Sequence, residues 1–266
     1  MPAATDFKVR RFKSAAAHYL SGRPPYPQVL IERTAQLLGL TRGDRILDLG
    51  CGPAQLAIAF SRFVGQVVAM DPEPAMLALA REGAEGVPNV EVVQGRSDDL
   101  KPALGRFRAV VIGRAFHWMD RAETLRRFET LLEPDGAVVL FGDDGPPMPQ
   151  NAWLKEYVTL LEGYAAGDDD RQRCRGPAFP PHTSVLLESA FNRLEQISVI
   201  APHDVTLDML IDRALSLSST SRARLGDRAD ELIDHLRAKS ADWSTTGVFT
   251  EVLASNALIA RRQPGG

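Results

Sequence analysis

Leu47–Leu56 reads LDLGCGPAQL. Two glycines, Gly50 and Gly52, stand two apart at the end of the apolar run Arg45–Leu49. Helically spaced apolar residues follow from Ala54 to Phe63. A buried strand, a glycine turn and a helix in immediate succession form the opening half of a βαβ unit. Glycine lets a chain turn tightly and lets its backbone approach a ligand without a Cβ in the way.

The same rhythm recurs downstream. Gln66–Met70, Val90–Val93, Arg108–Ile112 and Ala137–Phe141 are short runs rich in Val, Ile and Leu. They are nearly continuous in apolar character, as strands covered on both faces are, and this predicts a parallel sheet. Pro74–Glu82 and Arg121–Leu132 supply intervening helices. Pro74 suits a first helical turn, and Asp120 with Glu123 predicts a capping box. The turn Glu133-Pro134-Asp135-Gly136 then feeds the fifth strand. Alternating strands and helices predict a doubly wound α/β fold.

After Asp144 the rhythm changes. Asn151–Tyr164, Ser184–Phe191, Leu207–Leu217 and Arg228–Ala238 are expected as helices, and Ile197–Ala201 and Phe249–Ile259 as strands returning to the sheet. Between them Ala165–His182 is a long polar stretch, expected as a lid or an unstructured segment.

The chain has 266 residues, 44% hydrophobic and 24% charged, enough to bury a sizeable core. Its net charge of −3 gives no global electrostatic case for nucleic acid or an anionic membrane as partner. The apolar runs are too short to span a bilayer, and the N-terminal MPAATDFKVRRFK has no apolar segment of a secretory signal. Two cysteines, Cys51 and Cys174, do not make a disulfide framework. The expectation is a cytoplasmic protein with free thiols, a monomer or homodimer.

In an open parallel sheet, ligands bind beyond the carboxyl ends of the strands. The turn Gly50-Cys51-Gly52-Pro53 lies there. Asp71 ends the second strand 19 residues after Gly52, a spacing that suits a carboxylate accepting from ribose hydroxyls. A dinucleotide loop wants a third glycine or alanine where Gln55 stands, and Asp48 repels a pyrophosphate while attracting an ammonium. No Lys follows the turn, so it is no P-loop. The expected ligand carries a ribose and needs no phosphate.

These residues resemble motif I, D-x-G-x-G-x-G, of the class I S-adenosylmethionine-dependent methyltransferases. The resemblance extends through Asp71-Pro72-Glu73-Pro74-Ala75-Met76-Leu77, Val93–Leu100 and Gly113-Arg114-Ala115-Phe116-His117-Trp118-Met119-Asp120. Tyr19 with Arg23-Pro24-Pro25-Tyr26-Pro27 is similar to an N-terminal lid of small-molecule members. Together these segments span about residues 15 to 145.

The resemblance implies a Rossmann-like, mostly parallel seven-stranded sheet with a C-terminal antiparallel strand and a helical substrate cap. It implies one domain with four parts: lid and helices over 1–40, cofactor core over 41–145, variable substrate region over 146–243 and final strand over 244–266. The implied cofactor is S-adenosyl-L-methionine. Gly50, Cys51 and Gly52 would present backbone to its methionine part and Asp48 would support its amino group. Asp71 would take the ribose, Pro72 and Met76 would line the adenine, and Ser97 and Asp98 would hydrogen-bond it. Arg114 would offer backbone near the sulfonium, and Tyr19 and Arg23 would close over the cofactor. Ala54 departs from the motif at its third glycine, and Arg96 stands where an acid is frequent.

His117 follows the fourth strand on the expected reaction side. An imidazole titrates near pH 6.5, which suits a general base for the acceptor; the other reading is a histidine packed beside Trp118. Asp143-Asp144 and Asp168-Asp169-Asp170 have no His at ligand spacing, so they are expected as solvated turns and no metal is expected. Trp153, Tyr157, Tyr164, Phe179 and Trp243 are expected to shape the acceptor pocket. The expected activity is methyl transfer to an O, N or C nucleophile of a small molecule. The alternatives are a non-catalytic cofactor-binding regulator and a nucleic-acid methyltransferase. Against the latter stand the net charge and the absence of a Pro-Cys or Asn-Pro-Pro-Tyr motif after the fourth strand, and flipped-base chemistry would want a basic groove. A nicotinamide oxidoreductase is disfavoured by Gln55.

Overall fold

Five short apolar segments pair side by side in a computed structural model that describes residues 12–169 and 179–263. β1 (Arg45–Leu49), β2 (Gln66–Asp71), β3 (Val90–Gln94), β4 (Phe107–Gly113) and β5 (Leu132–Asp144) run parallel. β7 (Val248–Arg261) pairs antiparallel with β5, and β6 (Arg193–Thr206) antiparallel with β7. The strand order is β3-β2-β1-β4-β5-β7-β6. This is the doubly wound, mostly parallel sheet with an antiparallel C-terminal strand that the sequence implied. β6 lies within residues 146–243 yet belongs to the sheet.

Successive residues of a strand point to opposite faces, so one run builds two cores. Ile46, Val67, Ala109, Val111 and Val139 pack with α2 (Gln28–Leu38), α3 (Gln55–Phe60) and α4 (Pro74–Gly83). Leu47, Val68, Val110, Ile112 and Val138 pack with α5 (Arg121–Leu131) and α7 (His182–Leu187). A third cluster joins α6 (Leu154–Tyr164), α8 (Leu207–Ser216), α9 (Arg222–Leu225) and α10 (Arg228–Trp243) over Val205 and Phe249, at the outer ends of β6 and β7.

Some boundaries differ from expectation for local reasons. The Glu133–Gly136 turn lies inside β5 as an irregularity: Leu132 pairs with Phe107 and Ala137 with Ala109. Only half of the expected capping box forms. Asp120 accepts from Glu123 N (3.0 Å), whereas the Glu123 carboxylate takes Arg126 and Arg127 (3.0 Å each). α7 stops at Leu187, and the Ser189 hydroxyl donates back to Leu186 O (2.7 Å). α10 runs on to Trp243. Residues 170–178, half of the polar stretch and including Asp170 and Cys174, fall outside the described residues. Asp168 is no solvated turn residue: it is buried, with Arg224 3.7 Å away. Among the described residues, no helix is long and apolar enough to cross a membrane.

The N-terminal segment is strapped to the cap. In α1 (Tyr19–Gly22), a Cβ on Gly22 would collide with the backbone of Asp212 and Arg213 in α8. That close approach is secured by His18 Nδ1–Asp212 Oδ1 (2.7 Å), Arg23 Nε to Ser216 Oγ (3.0 Å) and Arg213 Nε to Gly22 O (3.2 Å). Arg213 also grips the buried Glu251 of β7 with two hydrogen bonds of 2.7 and 2.6 Å. Segments far apart in sequence thereby enclose one space.

Candidate functional site

That space is a cavity of about 600 Å³ at the carboxyl ends of β1, β2, β4 and β5. Its volume is within the usual range of small-molecule sites. The glycine turn forms the floor. Gly50 N and Cys51 N both donate to Met70 O (2.8 and 3.0 Å), tying the turn to β2. Gly50 has φ +71°, and a Cβ there would stand 2.6 Å from the Ala115 methyl. At Gly52, φ is +53° and nothing lies within 4 Å of the Cβ position. The turn therefore offers bare backbone to open space.

Asp71 holds this surface in shape. Its Oδ2 accepts from Gly52 N (2.9 Å) and its Oδ1 from Glu73 N (2.8 Å). Each oxygen retains a lone pair for a ligand. Burial raises the Asp71 pKa, opposed by these two backbone hydrogen bonds. Helix α4 is capped by Glu73, whose side chain accepts from Ala75 N (3.3 Å), so Asp71 is not its cap.

Eleven of the thirteen residues singled out from sequence line the cavity: Tyr19, Arg23, Gly50, Gly52, Asp71, Pro72, Met76, Ser97, Asp98, Arg114 and His117. Asp48 and Cys51 do not. Asp48 is buried beneath the turn, where its Oδ2 accepts from Ala57 N (2.9 Å) inside α3. The expected direct support of an amino group is thus corrected: side chains alternate along β1, and Asp48 falls on the helix-covered face with Ile46. Its other oxygen, Oδ1, is buried with no partner among the described residues. Desolvation by burial pushes its pKa up to about 7. The Cys51 thiol turns into the same core, and burial raises its pKa also. Ala54, at the motif's third glycine position, adopts φ +62° with its methyl fully buried.

The rim bends towards Asp98, which is exposed and faces Arg96 at 3.5 Å; Ser97 beside it is buried. On the opposite wall Arg114 has φ +55°, a conformation rarely adopted by a side-chain-bearing residue. Its Nε donates to Asp143 Oδ2 (2.6 Å), its Nη2 donates to Pro24 O (2.8 Å), and its guanidinium lies 4.5 Å from the Tyr26 ring centre. Asp143 also accepts from Ser255 (3.1 Å) and is 11% exposed, which corrects its reading as a solvated turn. Arg114 thus clasps the Pro24–Tyr26 stretch to the sheet.

The aromatic acceptor pocket expected from Trp153, Tyr157, Tyr164, Phe179 and Trp243 is not there. Trp153 packs on Phe249 and Trp243 with ring centres 5.4 and 6.0 Å apart. Its Nε1 donates to Thr250 O (3.1 Å), and Tyr157 Oη donates to Leu210 O (2.8 Å). Tyr164 Oη meets His235 Nδ1 (2.7 Å), and Phe179 lies under Arg121 at 3.7 Å. Cap helices bury their apolar faces against one another, and Trp153, Tyr157, Tyr164 and Trp243 belong to that core. From residues 146–243 the cavity receives His182, Gln196, Leu217, Ser218 and Ser219 instead. Sequence reasoning missed them. The hydroxyl-dense Ser216–Ser221 run was a signal available for the last two.

Comparison with known proteins agrees with this geometry. A family model described as a methyltransferase domain matches residues 46–136. An uncharacterized methyltransferase of Mycobacterium tuberculosis, Rv3342, is 26% identical over 224 residues, covering 84% of this chain and 85% of that protein. The crystal structure of YcgJ from Bacillus subtilis shares the fold, with TM-score 0.55 and 19% identity over 90% of this chain and all of that one. So does a methyltransferase from Thiobacillus denitrificans crystallised with S-adenosyl-L-homocysteine, with TM-score 0.54 and 16% identity over 96% and 99% of the two chains. The methyltransferase-domain match over residues 46–136, with the glycine turn, Asp71 and the strand order in place, supports a class I S-adenosylmethionine-dependent methyltransferase.

Proposed function

We propose that the cavity binds S-adenosylmethionine and directs its methyl group to an oxygen, nitrogen or carbon nucleophile of a small molecule. The observation that carries this reading is the bare Gly50–Gly52 backbone, held at 2.9 Å by Asp71 on the cavity floor. The space at Gly52 fits a ligand laid against main chain, and Asp71 has lone pairs left for ribose hydroxyls. Pro72 and Met76 give apolar surface to an adenine, and Ser97 and Asp98 give polar groups at its edge. Tyr19 and Arg23 close the N-terminal side, and Arg114 contributes backbone next to Gly113. Asp48 acts through the turn it underpins, and Cys51 through its backbone.

When bound, the sulfonium supplies an already activated methyl group. The chain's task is then to orient the acceptor and exclude water. His117, on the cavity wall, takes the proton from the acceptor nucleophile. The net charge of −3 and the enclosed, mixed polar wall favour a small acceptor over a nucleic acid.

Calorimetry tests the cofactor directly. S-adenosylhomocysteine binds, NAD does not, and Asp71→Ala weakens the former by about tenfold or more, the worth of a hydrogen bond to a charged group. Binding of NAD with no response to S-adenosylhomocysteine sinks the reading.

A further inference from the structure

His182 is the histidine of the cavity wall whose hydrogen-bonding state the structure fixes. Arg121 Nη1 lies 3.1 Å from His182 Nδ1 and also donates to Pro180 O (2.7 Å). A guanidinium has no acceptor, so it must donate, and Nδ1 must be the unprotonated nitrogen. The ring is confined by Phe116 and Phe179, with centres 5.2 and 6.1 Å away. Phe179 itself lies beneath the Arg121 guanidinium. Burial, and then the Arg121 charge, hold the His182 pKa down at about 4, so the ring is neutral at ordinary pH. Its single proton is therefore on Nε2. That nitrogen has no partner among the described residues, and the residue lines the cavity.

We infer that His182 is a specificity-determining donor, presenting Nε2–H to a lone-pair oxygen of the acceptor, as in a carboxylate, carbonyl or phenolate. It cannot serve as the base, because its unprotonated nitrogen is occupied. An ammonium group offers no lone pair to Nε2–H and is repelled by the Arg121 charge behind the ring. The inference rests on the methyltransferase reading of the cavity and adds the acceptor's chemistry to it.

The test uses ¹⁵N-histidine-labelled protein saturated with S-adenosylhomocysteine, with His182 assigned through His182→Gln. Two-bond proton–nitrogen NMR places the proton on Nε2 throughout pH 5.5–8. Benzoate, acetophenone and 4-nitrophenolate are the oxygen probes, and benzylammonium is the control. At least one oxygen probe shifts the His182 Nε2 signal, and benzylammonium does not. His182→Phe weakens that probe by about tenfold, and His182→Gln, whose amide can donate, restores most of the affinity. A proton on Nδ1, no shift with any oxygen probe, or equal probe affinity in His182→Phe overturns the inference. Loss of S-adenosylhomocysteine binding by the unsubstituted protein instead defeats the reading on which it rests.

Discussion

The two ends of the cavity are built by different means. The glycine-turn end consists of main chain from Gly50 to Gly52, one acid 19 positions later, and hydrogen bonds confined to β1, β2 and the helix that follows. The far end is assembled from His117, His182, Ser218 and Ser219, brought together by α5, α7, α8 and the N-terminal strap. Backbone geometry defines the first, and side-chain contacts between distant segments define the second. A cofactor common to a family suits the first construction. An acceptor that changes from member to member suits the second, because side chains in loops can vary without disturbing the sheet.

The difference predicts where each end breaks. The largest effect is expected at the clasp between the ends. Asp143→Ala leaves the buried Arg114 without its carboxylate and costs about 3 kcal/mol of stability by denaturant titration. It also makes the Pro24–Tyr26 strap more sensitive to protease. An Asp143→Ala protein as stable as the unsubstituted one would show that the strap is held elsewhere.

The glycine-turn end is expected to respond to pH. Asp48 has a folded pKa near 7, above its unfolded value of 3.8, so the folded chain retains the proton longer. Its contribution to stability is fully present below about pH 4 and is lost, at about 1.4 kcal/mol per pH unit, as pH rises through 7. Asp48→Asn keeps the neutral form and flattens this dependence. Equal slopes in the two proteins between pH 4 and 8 would contradict the assignment.

At the far end, His117→Asn lowers kcat about a hundredfold if the imidazole takes the acceptor's proton. The drop leaves S-adenosylhomocysteine affinity unchanged. A rate identical to that of the unsubstituted protein would make His117 a packing residue beside Trp118, 4.8 Å away between ring centres.

The smallest effect belongs to Ala54. Glycine there relieves a positive φ worth about 1 kcal/mol and loses a buried methyl worth about 0.8 kcal/mol. Ala54→Gly thus shifts stability by less than about 1 kcal/mol, measured by the same titration. A larger change would show that the turn relaxes on substitution.

Legibility follows the same division. Strands β1, β2 and β4 were readable because each is a short run buried on both faces, and the turn because glycine is needed where φ is positive or a Cβ has no room. Asp71 was readable because its distance from the turn is set by one helix and one strand. Asp48 was misplaced by one side of a strand: its spacing from Gly50 is correct, but pleating aims it at Ala57 N. Trp153, Tyr157 and Trp243 were misread because aromatic content does not distinguish a pocket wall from a cap core.

By itself, then, the sequence determined the order of strands and helices, the position of the glycine turn at the end of β1 and the kind of cofactor expected there. These depend on local periodicity and on single residues that only one conformation tolerates. Tertiary structure alone decided which nitrogen of His182 carries a proton, what neutralises Arg114, and which part of residues 146–243 reaches the cavity. Those depend on contacts between segments tens to hundreds of residues apart, such as Asp143 with Ser255 and Arg121 with His182. No local pattern encodes such contacts, because their energies exist only once the sheet has brought both partners together.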